Sequence, residues 1–163
     1  MYGMKELLRF CICVLGCAMC SSCMTIRWVE TAPQVLDARA KSFSVSPDSA
    51  SIYVVCLEGW WVFGRFFAVF LDGANVGILD DGKYRLLIVT PGKHSVGEGW
   101  QGGVEQSVDL TTEAGNNYYV RITQKGGRGI IETIGEEEGR NLVRKSKLSG
   151  QWRNLLGEER LER

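Results

Sequence analysis

Residues 66–98 read FFAVFLDGANVGILDDGKYRLLIVTPGKHSVGE. Apolar residues alternate here in short runs, and each run stops at a pair that a tight turn favours. Phe66–Asp72 places Phe67, Val69 and Leu71 on one face. Asp72-Gly73 then suits a turn with positive φ, and Val76–Leu79 reads as a short return strand. Asp81-Gly82 breaks the pattern again before Tyr84–Thr90, and Pro91-Gly92 before Lys93–Glu98. Proline fixes one φ and glycine permits the next, as a type II turn wants. Side chains in a strand point alternately to opposite faces, so this period of two reads as half-buried strands.

The pattern extends in both directions. Upstream, Ser51–Cys56 puts Ile52, Val54 and Cys56 on one face. Downstream, Val104, Gln106, Val108 and Leu110 oppose Glu105, Ser107 and Asp109. Gly115-Asn116 turns into Asn117–Gln124, with Tyr118, Val120 and Ile122 expected inside and Tyr119, Arg121 and Thr123 outside. Gly126-Gly127 leads to Gly129–Ile134. Some seven to eight strands with turn signals every 8–12 residues or so predict an all-β fold, a small antiparallel β-sandwich. A short C-terminal helix follows. Gly135–Lys147 is charged, with Glu136, Glu137 and Glu138 first and Arg140, Arg144, Lys145 and Lys147 last, an order that complements a helix dipole. Gly139 weakens that helix. Gln151–Arg163 reads as a second short amphipathic helix, with Trp152, Leu155 and Leu156 on one side.

The N-terminus has a different character. Lys5 and Arg9 precede the apolar run Phe10–Ala18, and Ser21-Ser22-Cys23 follows. A basic start, a short apolar stretch and small residues are the layout of a secretory leader. The run is about half of the ~20 apolar residues that a membrane-crossing helix needs. A cysteine at the end of the small-residue site resembles the lipobox of bacterial lipoproteins, which implies that Cys23 is acylated and becomes the mature N-terminus. Val14-Leu15-Gly16-Cys17 is the alternative, at the cost of a shorter apolar stretch. Neither cysteine is followed by Asp, which by the same resemblance favours the outer over the inner membrane. The expected organisation is a signal peptide over 1–22, a lipidated cysteine and tether over 23–50, a β-sandwich over 51–135 and a helical extension over 136–163.

Composition narrows the function. The chain has 163 residues, with 19 basic and 19 acidic side chains. Loss of Lys5, Glu6 and Arg9 with a leader leaves 17 against 18, which offers no basic field for nucleic acid. Of the six cysteines, cleavage before Cys23 removes Cys11, Cys13, Cys17 and Cys20. Only Cys56 then remains beside the lipidated residue, so no internal disulfide framework forms. A metal at the leader cysteines lacks an ordered scaffold and a nearby histidine, and no metal or other cofactor is expected. His94 is the only histidine, and a catalytic triad would need Asp72, Asp80 or Asp81 to orient it. No nucleophile elbow or phosphate loop accompanies it, so the sequence reads as non-catalytic.

The ordered set Ile52-Tyr53-Val54, Val69–Gly77, Tyr84, Val89–His94 and Ala114–Val120 resembles an uncharacterised family of bacterial lipoprotein domains. Its DG and PGKH pieces are also similar to PEGA-type surface domains. The resemblance spans about Ser51–Lys147 and implies a small β-sandwich behind a lipobox, with no assigned activity. It departs at Gly59–Arg65, where Trp60, Trp61 and Phe63 enrich a connection. Adjacent tryptophans in a strand point to opposite sides, so Trp60 or Trp61 is a candidate contact for a partner or a lipid interface. The expected partners are the membrane, through acyl chains, and an envelope protein or cell-wall component. A membrane-surface or stress-related role through the C-terminal helix is the alternative, and a hydrolase a more distant one.

Overall fold

The computed structural model describes residues 29–57, 66–100, 103–125 and 128–150. Their order is α1 (Gln34–Ala40), β1 (Ala50–Cys56), β2 (Phe66–Leu71), β3 (Ala74–Asp80), β4 (Lys83–Val89), β5 (Gly92–Trp100), β6 (Gly103–Thr112), β7 (Asn117–Lys125), β8 (Arg128–Ile134), α2 (Glu136–Lys145) and β9 (Lys147–Leu148). The strands form two sheets, one of five strands in the order β8-β7-β1-β4-β9 and one of four in the order β3-β2-β5-β6. The fold is mostly β and sandwich-like.

The inner faces of the sheets share one apolar core. Ile52, Val54 and Cys56 of β1 meet Leu87 and Val89 of β4 and Val120 and Ile122 of β7. Phe67, Val69, Leu79 and Val96 come from the other sheet. These are the alternating apolar positions, as a period of two requires. The turn between β2 and β3 also follows its residues. Asp72 has φ +52° and Gly73 φ +81°, the pair of positive φ values of a type I′ hairpin.

Pro91-Gly92 behaves otherwise. It closes no hairpin, because β4 and β5 lie in different sheets. Gly92, with φ +150°, carries the chain across the sandwich. Asp81-Gly82 does the same from β3 to β4. Pairing is not wholly antiparallel either. β1 runs parallel to β7, with Ser51 opposite Asn117, and β4 runs parallel to β9. Parallel neighbours need long crossovers, which the chain supplies by visiting the second sheet in between.

The largest departure from the expected pattern is on the outer face of the five-stranded sheet. Tyr119, expected outside, is 2% exposed. It joins Tyr53, Val55 and Tyr84 in a second apolar cluster with Ala32, Leu36, Ala40, Phe43, Val143 and Leu148. Both helices therefore cover this sheet, and β1 is buried on both faces along its whole length. Part of the segment read as a tether is thus a docked helix: Tyr53 donates to the Ala40 carbonyl at 2.8 Å. Gly139 is explained as well. A Cβ there would stand 2.2 Å from the Tyr119 ring, so glycine allows α2 to approach the sheet.

Candidate functional site

Cys17 and Cys23, like Trp60 and Trp61, lie outside the described residues. His94 sits near the start of β5, where its Nδ1 is 2.8 Å from Asp72 Oδ2 and its Nε2 is 2.8 Å from the Thr90 carbonyl. Both partners are acceptors, so the ring fits best as an imidazolium that donates twice. The Asp72 side chain also accepts the Ser95 amide at 2.8 Å. Its hydrogen bond to His94 holds the Asp72 carboxyl below its ordinary range and raises the His94 pKa. A general base needs a free ring nitrogen facing a nucleophile, and here the second nitrogen faces a backbone carbonyl. The pair of motifs that sequence singled out therefore forms a clip. His94 joins the β2–β3 turn to the crossover at Thr90.

Cys56 is 1% exposed. Its Sγ is 3.8 Å from Asp81 Oδ1. Burial pushes the thiol pKa far up, and the carboxylates of Asp81 and Asp80 add to the effect. A nucleophilic cysteine requires the opposite surroundings.

Three polar residues that belong to no recognisable motif lie in or beside the cores. Arg85 is 1% exposed and crosses the sandwich to β3, where it donates to the carbonyls of Val76 at 2.6 Å and Ile78 at 3.2 Å. Its guanidinium also reaches Ser149 Oγ at 3.2 Å. Burial lowers its pKa to about 10, which still leaves it charged at neutral pH. Glu98 is 2% exposed, and its Oε1 has no hydrogen-bond partner among the described residues. Its carboxyl rests against the Cα of Gly129, where a Cβ would meet Oε2 at 2.3 Å. Burial raises its pKa, and Glu105 adds to that. Asp37 on α1 accepts from the Tyr84 hydroxyl and the Leu148 amide, both at 2.9 Å, and from Lys41 at 2.7 Å. Lys41 in turn donates to the Ser146 carbonyl at 2.7 Å. This network fastens α1 to the edge of the sheet.

Among the described residues, no group of three or more His, Cys, Asp and Glu is placed to hold a metal ion. In the same residues no helix is long and apolar enough to cross a membrane. Neither a protein-family model nor a curated protein matches the chain.

Proposed function

We propose that this chain is a lipid-anchored bacterial envelope lipoprotein whose β-sandwich acts as a non-catalytic binding or structural module. The observation that carries the reading is the N-terminal order: Lys5 and Arg9, the apolar run Phe10–Ala18, and Ser21-Ser22-Cys23. Met24 rather than Asp follows the cysteine, which favours the outer membrane. The resemblance of Ser51–Lys147 to uncharacterised lipoprotein domains points the same way. The double engagement of His94 by Asp72 and Thr90 supports a structural part for the one histidine. Trp60 and Trp61 fall in the sequence between β1 and β2 and are the proposed contact for an envelope partner.

Metabolic labelling with a clickable palmitate analogue tests the anchor. Wild type and Cys17→Ser are expected to take up label and to fractionate with membranes, whereas Cys23→Ser loses both. Absence of label from the wild type refutes the lipoprotein reading. For the tryptophans, a Trp60→Ala/Trp61→Ala variant is expected to lose crosslinked envelope proteins that the wild type captures. An unchanged capture profile removes them from the proposal.

A further inference from the structure

We infer that residues 151–163 act as an internal strap, seated by their apolar side on the outer face of the four-stranded sheet. The centre of that face is buried. Phe67 and Val69 of β2 enter the inner core, so Phe66, Ala68 and Phe70 point outward. Ala68 is 8% exposed and Phe70 7%, yet neither belongs to either apolar cluster. Val96 of β5 is in the inner core as well, so Gly97 and Gly99 also lie on the outer face, and both are buried. The two helices do not account for this. They pack on the other sheet, α1 against β9 and α2 against β1 and β7.

Strand register gives the face its shape. Ile78, Ala68, Gly99 and Val104 stand in one row across β3, β2, β5 and β6. The ends of the row are exposed, Ile78 by 36% and Val104 by 46%, while its middle is buried. Phe70 stands in the next row, opposite Gly97. Val104 leans over β5, where its Cγ1 would lie 2.9 Å from a Cβ on Gly97. Three gaps of about 4.8 Å separate the strands of Ile78 and Val104, about 14 Å in all. A helix about 10 Å wide fits between such rims.

The course of the chain identifies the occupant. Ser149 is held at the β3 edge of this face. Its Oγ donates to the Ile78 carbonyl at 3.4 Å, and the Arg85 guanidinium donates to that carbonyl and to Ser149 Oγ, each at 3.2 Å. Trp152 comes three residues later, a reach of about 10 Å, or about two strand spacings into the face. Residues 151–163 carry Trp152, Leu155 and Leu156 at helical spacing on one side. As a helix they would be about 20 Å long, enough to cross the row. A helix this short is marginal alone in water, and burial of its apolar side supplies what it lacks. Seated in this way, the segment has no apolar side left for a bilayer or a second protein.

The test uses the full chain with photoreactive benzoylphenylalanine in place of Trp152, irradiated in the cells that make it. Trypsin cleaves after Arg65, Lys83, Lys93, Arg121, Lys147 and Arg153, and mass spectrometry identifies the joined fragments. The expected product has monomer mass and joins fragment 148–153 to fragment 66–83 or 94–121, at a residue of β2, β3, β5 or β6. Leu155→Asp/Leu156→Asp is expected to lose this product, whereas Asn154→Asp, on the opposite side of a helix, keeps it. A product with a second chain, another protein, lipid or any other fragment overturns the strap, and so does the absence of a product. A product that survives Leu155→Asp/Leu156→Asp overturns the apolar seat. The strap does not depend on the lipid anchor, and its failure leaves that proposal standing.

Discussion

At the scale of single residues, the exposed Asp72 carboxyl and the buried Glu98 carboxyl set opposite pH dependences. His94 has a raised pKa, so its contribution is complete below its unfolded value, near 6.5, and fades as pH rises through the folded value. Asp72 has a lowered pKa, so its contribution is present above about 3.8 and fades as pH falls through the folded value. The clip is therefore strongest between about pH 4 and pH 6.5. Asn tolerates the positive φ of position 72. Asp72→Asn is expected to lower the denaturation midpoint at pH 5.5 or so and to cost less at about pH 8.5, where the imidazolium is disappearing. An equal loss at both values refutes the charged pair. Glu98 runs opposite to Asp72. Its raised pKa means that the fold bears a growing cost as pH climbs from the unfolded value through the folded one. Glu98→Gln is expected to stabilise the protein at neutral pH and to change little near pH 4. Denaturant midpoints at the two values check this, and destabilisation at neutral pH refutes it.

At the scale of elements, the helix α2 gives a sharp test of packing against propensity. Gly139→Ala improves intrinsic helix propensity by about 1 kcal/mol, yet the new methyl would overlap the Tyr119 ring. Overpacking of this kind costs about 1–3 kcal/mol, so a net loss of stability is expected. Asn141→Ala, at an exposed position of the same helix, is expected to gain a few tenths of a kcal/mol instead. A Gly139→Ala variant as stable as Asn141→Ala would show that the helix does not sit this close. The strands were legible because their apolar alternation follows the inner core. Val96 and Glu98 share one phase of β5, and Arg85 shares the phase of Leu87 and Val89, so even the buried charges lay on readable positions. The helix-covered face was not legible. Tyr119, Arg121 and Thr123 read as a polar alternate face, and Tyr119 is buried only because Phe43 and α2 reach it from distant parts of the chain. The sheet that each crossover at Asp81-Gly82 and Pro91-Gly92 leads to was not legible for a related reason. Local turn chemistry specifies a change of direction and not the sheet that receives the next strand.

At the scale of the whole molecule, the sandwich and its helical layer depend on one another. Removing residues 136–163 uncovers Val55, Tyr84 and Tyr119 and deletes Val143 and Leu148 from the second cluster. Burial of side chains of this size is worth about 1.5–3 kcal/mol each, which is a large share of a stability of about 5–15 kcal/mol. A chain ending at Gly135 is expected to lose cooperative unfolding by circular dichroism. A sharp transition at an unchanged midpoint would show that the sheets stand alone.

The parallel partnership of β1 and β7 also governs time. Ser51 finds Asn117, and Lys83 finds Lys147, so the central strand waits for segments made much later. High contact order of this kind slows folding to milliseconds or longer. A nascent chain cannot complete its two apolar clusters until Ile131 and Leu148 have emerged. It stays threadable through a narrow channel for as long as it is being made.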